Sequence, residues 1–268
     1  MSVAAARPPA SWAEPVRLLA SRTAALGLVE LQKVRSDNTE LVTRMVQPVL
    51  WLLIFGQIFS QIRAIPTGDL SYLAYLTPGI LAQSALFVAI FFGIQIIWER
   101  DAGILTKVMV TPTPRAAIVM AKAFAAGLRG LAPVVVLVPV AALLGVGITL
   151  NPLKLVAAAI ALMLSAGFFS CLSMAIAGIA QTRDRLMGIG QLMTMPLFFA
   201  SNALYPIEIM PTWLQVISRI NPLTYLVNAL RGLLVDAPAN LWADFGVLVA
   251  AAVIGIIGAA ALLGKLVR

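Results

Sequence analysis

The sequence predicts an all-α polytopic membrane protein, and three observations lead to that fold class. Hydrophobic residues make up 61% of the 268 residues and charged residues only 11%, and the mean hydropathy is +0.97. A soluble domain is about one quarter charged. Several stretches of about twenty residues hold no charge, which is the length a helix needs to cross a bilayer. The alternating pattern of a membrane β-barrel is missing.

The uncharged stretches predict six membrane-spanning helices. They cover residues 41–62, 76–98, 130–150, 155–180, 186–205 and 243–263. We place Arg129 at the edge of the third span, because an Arg at the bilayer centre costs roughly 2.5 to 3.5 kcal/mol. The span interiors hold no Asp, Glu, Lys or His, which weighs against a proton-coupled pump. Cys171 is interpreted as a small packing residue.

The segment before the first span divides into two parts. Residues 1–13 predict a flexible tail, and residues 14–40 predict a cytoplasmic amphipathic helix. That helix would either lie in the lipid headgroups or be solvated beside the membrane, and the pattern fits both. No apolar run precedes Leu41, so we expect no cleaved signal peptide. Residues 41–268 then form the six-span transmembrane domain.

The distribution of basic residues predicts the orientation. Lys and Arg concentrate in the N-terminal segment, between the second and third spans, at Arg183 and Arg185, and at the C-terminus. Positively charged loops stay in the cytoplasm, so both termini are expected there. Residues 206–235 then lie on the outer face.

The outer segment predicts two short helices. Pro211 is suited to the start of an amphipathic helix, and Asn221 with Pro222 supplies an N-cap and first-turn proline for a second. Residues 223–235 are too few to cross a bilayer and include Arg231. The two helices either float in the outer headgroups or fold back as a plug, and the residues favour neither.

Several functional classes are excluded by composition. The basic residues lie between apolar spans rather than on one soluble face, so nucleic-acid binding is not expected. With no histidine and a single cysteine, we expect no metal site. No residues predict a catalytic nucleophile with its base. Gly264-Lys265 lacks the upstream glycine of a phosphate-binding loop, so energy must come from another chain or the process is downhill.

The connection at residues 99–122 carries the most information. A Glu99-Arg100-Asp101 cluster ends an apolar helix, and Gly103 permits a change of direction. Pro112 then interrupts the next helical stretch. Such a rigid elbow would transmit movement from a soluble partner to two spans. A basic cytoplasmic loop that only follows the positive-inside rule has the same composition.

Three runs together resemble the type-2 ABC exporter permeases, the family of daunorubicin-resistance and nodulation-factor export permeases. They are QPVLWLLIFGQIF, PGILAQSALFVAIFFGIQIIWERDAGILTKVMVTPTPR and LYPIEIMPTWLQVISRINPLTYLVNALRGLL. The resemblance extends over nearly the whole chain. It implies six spans, an N-terminal amphipathic helix, a cytoplasmic coupling helix and two short outer re-entrant helices.

The resemblance also implies three groups of functional residues. Those that couple to the ATPase are Glu99, Arg100, Gly103, Pro112, Arg115, Arg183, Asp184 and Arg185. Those that line the pathway are Gln47, Phe55, Gln57, Gln83, Phe87, Met195, Phe198, Phe199 and Asn202. Those of the outer re-entrant helices are Pro206, Pro211, Trp213, Asn221, Pro222, Tyr225 and Arg231. A Phe or Met on a membrane helix is more often a packing residue, whereas an intramembrane amide needs a partner.

The expected function is outward movement of a hydrophobic or amphipathic substrate across a bacterial cytoplasmic membrane. The resemblance implies a separate nucleotide-binding subunit that holds ATP and Mg, so this chain itself needs no cofactor. It also implies a second permease, identical or homologous. A downhill scramblase or channel, an assembly subunit, and a polysaccharide or glycolipid substrate are the alternatives.

Overall fold

The computed structural model describes residues 21–28, 45–62, 66–68, 70–110, 113–180, 182–264 and 266. Over these ranges the chain is helical and contains no strand, which confirms the predicted all-α class. The tail at residues 1–13, most of the predicted helix at residues 14–40, and Pro112 lie outside the described residues.

The described residues contain eleven helices. Residues 21–28 form α1, and Met45–Gln61 forms α2, which contains a π-helical turn at Trp51–Phe55. The others are α3 (Tyr72–Asp101), α4 (Ile104–Val110), α5 (Arg115–Arg129), α6 (Ala132–Leu143), α7 (Pro152–Ala180), α8 (Arg183–Phe199), α9 (Thr212–Ile220), α10 (Pro222–Leu234) and α11 (Leu241–Leu263). A 3₁₀ turn at Ile207–Ile209 precedes α9.

Four of these segments are long and apolar enough to cross a membrane. They are α3, the pair α5–α6 (Arg115–Leu143), α7 and α11. The helix α2 is a shorter apolar helix, and α8 has 17 residues. Length and composition therefore confirm a polytopic membrane protein. The count of six spans stays a prediction.

The helices pack around α3 and α7. The last span, α11, packs mainly on α7, α10 and α5, whereas α2 and α8 pack on α3. Small residues allow the two central helices to approach closely, since a Cβ on Gly93 of α3 would lie 2.6 Å from the Ser170 carbonyl oxygen of α7. Close packing of small residues is the usual source of helix association in membranes.

The third span begins earlier than the sequence predicts. The apolar segment starts at Arg115 rather than at residue 130, and Gly130 with Leu131 only interrupts it. The reason is that its basic residues have partners. The Lys122 ammonium is 2.7 Å from a Glu99 carboxylate oxygen, and the Arg129 guanidinium lies 4.5 Å from the centre of the Phe92 ring.

Charged residues are buried in two candidate membrane spans. Lys122 is buried within Arg115–Leu143, and Asp244 is buried in the first turn of α11. Both lie in helices whose other residues are mostly apolar.

Candidate functional site

A cavity of about 250 Å³ lies between α2, α3 and α8. It brings together three of the predicted pathway residues, Gln47, Gln83 and Phe87. Gln191 of α8 adds a third amide, while the remaining lining is mainly apolar: Met45, Pro48, Ser84, Val88 and Phe91. Such a surface accepts an amphipathic molecule, because the apolar walls bury its body and the amides orient its polar groups.

The other predicted pathway residues divide between surface and interior. Phe55, Gln57 and Phe199 are exposed, and Met195 is half-buried. Phe55 stacks on Trp51 with ring centres 4.3 Å apart.

Phe198 and Asn202 are buried against neighbouring parts of the chain. Phe198 is 1% exposed and meets the Trp51 ring edge-on at 6.3 Å. The Asn202 amide donates to the Asn228 side-chain oxygen at 2.5 Å. Both residues are therefore engaged inside this chain rather than on an open wall.

The elbow residues at the end of α3 form a set of ion pairs. Glu99 joins α3 to α5 through Lys122, and the Asp101 carboxylate accepts from the Arg183 guanidinium of α8 at 2.7 Å. Arg100 also donates to Asp101, at 2.8 Å. The end of α3 is thereby joined to two neighbouring helices, α5 and α8.

The remaining predicted coupling residues have distinct positions. Gly103 follows the end of α3 with φ of +71°, a left-handed conformation that favours glycine. The exposed Arg115 lies beside the end of α11, where a Cβ on Gly264 would be 2.5 Å from a guanidinium nitrogen. Asp184 and Arg185 are exposed in the first turn of α8.

The short helix α4 presents an apolar surface. Ile104 is 46% exposed and Val110 is 82% exposed, with the exposed Lys107 between them. Leu105 on the opposite side is buried and anchors the helix. Exposed aliphatic side chains beside a cluster of charges are typical of a protein-docking surface.

Arg231 of α10 contacts two other parts of the bundle. Its Nη2 donates to the Asn202 carbonyl oxygen at 2.6 Å, and its Nε donates to the Tyr75 carbonyl oxygen at 3.2 Å. The guanidinium carbon lies 3.5 Å from the centre of the Tyr75 ring. Arg231 thus links α10, the start of α3 and the turn after α8, and it is buried rather than directed toward a pathway.

Most of the other residues predicted for the outer re-entrant helices cap a helix or lie where a helix begins. Asn221 caps α10 by accepting from the Leu223 amide, while its side-chain nitrogen donates to the Leu197 and Ala200 carbonyl oxygens. Tyr225 donates to the Arg219 carbonyl oxygen. Pro222 occupies the first turn of α10, and Pro206 and Pro211 precede the short helices that follow them. Trp213 is exposed.

A separate polar contact joins the segment after α10 to the segment where α7 begins. The Asp236 carboxylate accepts from the Lys154 ammonium and from the Thr149 hydroxyl. These two donors hold the pKa of the Asp236 carboxyl below its usual 3.8. Asp236 itself has φ of +55°, which Asp and Asn tolerate better than most residues. The contact fixes the end of α10 to the start of α7.

The sequence reasoning missed three residues of these sites. They are Lys122, Gln191 and Asn228. They carry no local motif, because the residues beside them lie far away along the chain.

Comparison with known proteins gives one matching family and several relatives. The family model of the ABC-2 type transporters matches residues 23–235. The transport permease ycf38 of Cyanophora paradoxa is 32% identical over 196 residues, which are 71% of this chain and 66% of that protein. The chain therefore spans slightly less than two thirds of that relative.

Two bacterial relatives are more distant. The daunorubicin-resistance ABC transporter permease DrrB1 of Streptomyces coeruleorubidus is 25% identical, over 76% of this chain and 71% of its own length. The inner membrane transport permease YadH of Escherichia coli K12 is 27% identical, over 78% of this chain and 82% of its own length.

Proposed function

Because the chain belongs to the ABC-2 type transporter family, we propose that it is the permease subunit of an ATP-binding-cassette exporter. A separate nucleotide-binding subunit hydrolyses ATP, and this chain moves a hydrophobic or amphipathic substrate outward. The observation that carries the proposal is the ion-paired elbow at the end of α3. This elbow links the exposed helix α4 to α3, which lines the cavity, and its ion pairs join α3 to α5 and α8.

The topology of the proposal has six spans: α2, α3, α5–α6, α7, α8 and α11. Both termini lie in the cytoplasm, because the basic residues concentrate on that side. The helices α9 and α10 then re-enter the membrane from the outer face. The bacterial cytoplasmic membrane is the proposed location, and the name of the relative YadH supports it.

Coupling proceeds through α4. The ATPase docks on the exposed side of Ile104, Lys107 and Val110 and displaces this helix when it closes on ATP. The movement reaches α3 through the turn at Gly103 and reaches α5 and α8 through the Glu99 and Asp101 ion pairs. Phe87 lies twelve residues before Glu99, about 18 Å along the same helix, so the cavity wall moves as well.

The proposed substrate is drug-like or lipid-like. Its support is the cavity chemistry, in which three amides interrupt an otherwise mainly apolar wall. The volume of about 250 Å³ holds one part of such a molecule. The name of the Streptomyces relative includes daunorubicin resistance, which fits a drug-like substrate.

The working unit of the proposal contains two permeases and two ATPases. Its support in this chain is the exposed apolar surface of α2 and α8, which includes Ile54, Ile58, Leu192 and Phe199. A second permease, identical or homologous, covers that surface and completes the pathway. Membrane lipids surround the assembly, and nucleic acid has no role.

Exchange of the Glu99–Lys122 charges tests the coupling. In the reconstituted complex with its ATPase, Glu99→Lys places two ammonium groups together and should uncouple hydrolysis from export. The double variant Glu99→Lys/Lys122→Glu restores the opposite charges and should recover export in large part. Arg219→Gln, a change to an exposed side chain on α9, is the control.

Equal export by the wild type and Glu99→Lys would contradict the coupling route. So would a double variant that assembles normally yet exports no better than the single one. Comparing ATPase binding in all variants separates loss of coupling from loss of assembly.

A further inference from the structure

A second concave surface lies far from the cavity, between α5, α7 and α11. It encloses about 330 Å³ and opens sideways. Its lining is almost wholly apolar: Met120, Ala123, Phe124, Ile160, Met163, Leu164, Gly167, Ala252 and Ile256. We call this surface the lateral groove. All three of its helices belong to candidate membrane spans, so the groove opens toward the hydrocarbon of the bilayer.

Small residues build the floor of the lateral groove. A Cβ on Gly127 would lie 3.1 Å from the Met163 carbonyl oxygen, and a Cβ on Gly167 would lie 3.4 Å from the Ala123 carbonyl oxygen. The backbones of α5 and α7 therefore approach closely there, and α11 forms the remaining wall. The result is a narrow apolar channel, whose shape suits a flexible chain better than a flat ring system.

The lateral groove is separated from the surfaces that the permease partner would cover. The groove lies between α5, α7 and α11, and α11 packs on α5, α7 and α10, whereas the second permease would cover α2 and α8. A second permease on α2 and α8 would leave the groove facing lipid. Its natural occupant is then a lipid tail.

A positive charge lies at one end of the lateral groove. Arg115 begins α5 five residues before Met120, about 7.5 Å along the helix axis. Its exposed guanidinium lies against Gly264 at the end of α11, the helix that forms the groove wall. A guanidinium at the membrane boundary favours an anionic headgroup, and it binds phosphate through two parallel hydrogen bonds.

We infer that the lateral groove is a binding site for one anionic phospholipid, with an acyl chain on the α5–α7 floor and its phosphate at Arg115. The inference rests on the apolar lining, the bilayer-facing opening and the complementary charge. The bound lipid would fill space between three helices and fix α5 against α11. The site requires neither ATP nor the ATPase, so it is independent of the proposed export.

Native mass spectrometry of the purified chain tests the inference. The protein in detergent is titrated with phosphatidylglycerol or with phosphatidylcholine of identical acyl chains. The first bound lipid should be retained better when it is phosphatidylglycerol. Arg115→Gln should lower that affinity about fivefold, the change that corresponds to about 1 kcal/mol for one basic residue at a lipid headgroup. Arg185→Gln, an exposed basic residue on α8, should leave it unchanged.

A matched pair of variants on α11 tests whether the groove itself holds the lipid. Ala252→Phe fills the groove and should remove the retained lipid of either headgroup. Ala250→Phe adds the same ring on the exposed side of the helix and should not. Equal retention by these two variants, or equal retention of both lipids by the wild type, would overturn the inference.

Photocrosslinking of the unaltered chain gives an answer that does not depend on how variants fold. A phosphatidylglycerol with a diazirine in one acyl chain should label residues 120–124, 160–167 and 252–256. Labelling spread evenly over exposed apolar residues elsewhere, such as Val135 and Ile179, would contradict a specific site.

Discussion

Arg231 shows how one buried cation joins separate parts of the bundle. The guanidinium donates to the carbonyl oxygens of Tyr75 and Asn202 and lies on the face of the Tyr75 ring. These contacts need the planar fork of Arg, which can donate in two directions while it stacks. A positive charge alone would not reproduce them. Arg231 is therefore interpreted as a structural residue of α10.

Arg231→Lys tests that interpretation. The ammonium keeps the charge but cannot make both hydrogen bonds and the stacking contact, so we expect a loss of about 1–3 kcal/mol in unfolding free energy. Thermal unfolding in detergent, followed by tryptophan fluorescence, measures it. Arg219→Lys on α9 is the control and should unfold like the wild type. Equal midpoints for both variants would show that a point charge suffices.

The Asp236 contact gives a pH dependence. Lys154 and Thr149 lower the pKa of this carboxyl in the folded chain, so the unfolded chain binds the proton more tightly. The contribution to stability is present above the usual pKa of 3.8 and is lost as the pH falls through the lowered value. Because Asp236 is exposed, the effect should be small.

Asp236→Asn removes this titration while keeping a residue type that tolerates positive φ. Between about pH 5 and pH 3 the thermal midpoint of the wild type should fall more steeply than that of the variant. Midpoints measured in parallel across that range provide the test. Parallel curves would mean that the contact contributes nothing to stability.

At the scale of elements, glycine positions decide how closely helices pack. Gly93→Ala places a Cβ 2.6 Å from both the Ser170 carbonyl oxygen and the Ser173 Cβ, so α3 and α7 must separate. We expect a destabilisation of about 1–3 kcal/mol, as for other overpacked interiors. Gly258→Ala on α11 meets nothing within 4 Å and serves as the control. Thermal midpoints of the two variants should differ clearly, and equal midpoints would show that the helices adjust freely.

Hydropathy predicts those helices whose charged residues lie only near one end. The helices at Tyr72–Asp101, Pro152–Ala180 and Leu241–Leu263 appear where the uncharged stretches predict them, within a few residues at most ends. The start of the third span could not be predicted, because Lys122 and Arg129 look like loop residues until Glu99 and Phe92 lie beside them. Contacts between distant residues decide this boundary.

Contacts between distant residues also decide which residues form the candidate site. The grouping of Gln47, Gln83 and Phe87 in one cavity agrees with their assignment to one surface. Asn202 looks like a pathway amide in the sequence, yet its amide is bonded to Asn228. The partner of a polar residue depends on how the helices pack, and that packing is not encoded in any local motif.

At the scale of the whole molecule, the two concave surfaces use different helices. The cavity lies between α2, α3 and α8, and the lateral groove lies between α5, α7 and α11. The elbow stands at the end of α3, where ion pairs reach α5 and α8. In the two proposals, the cavity receives the substrate and the lateral groove receives the lipid.

The most direct test of ATP-driven export is to purify the tagged chain from its native membrane in mild detergent. We expect a subunit with phosphate-binding-loop motifs to copurify and to bring vanadate-sensitive ATP hydrolysis with it. Proteoliposomes of that complex should then move an amphipathic compound only when ATP is supplied on the side of α4. Flux through the permease alone, without ATP and without an associated ATPase, would contradict the exporter and indicate a downhill channel or scramblase.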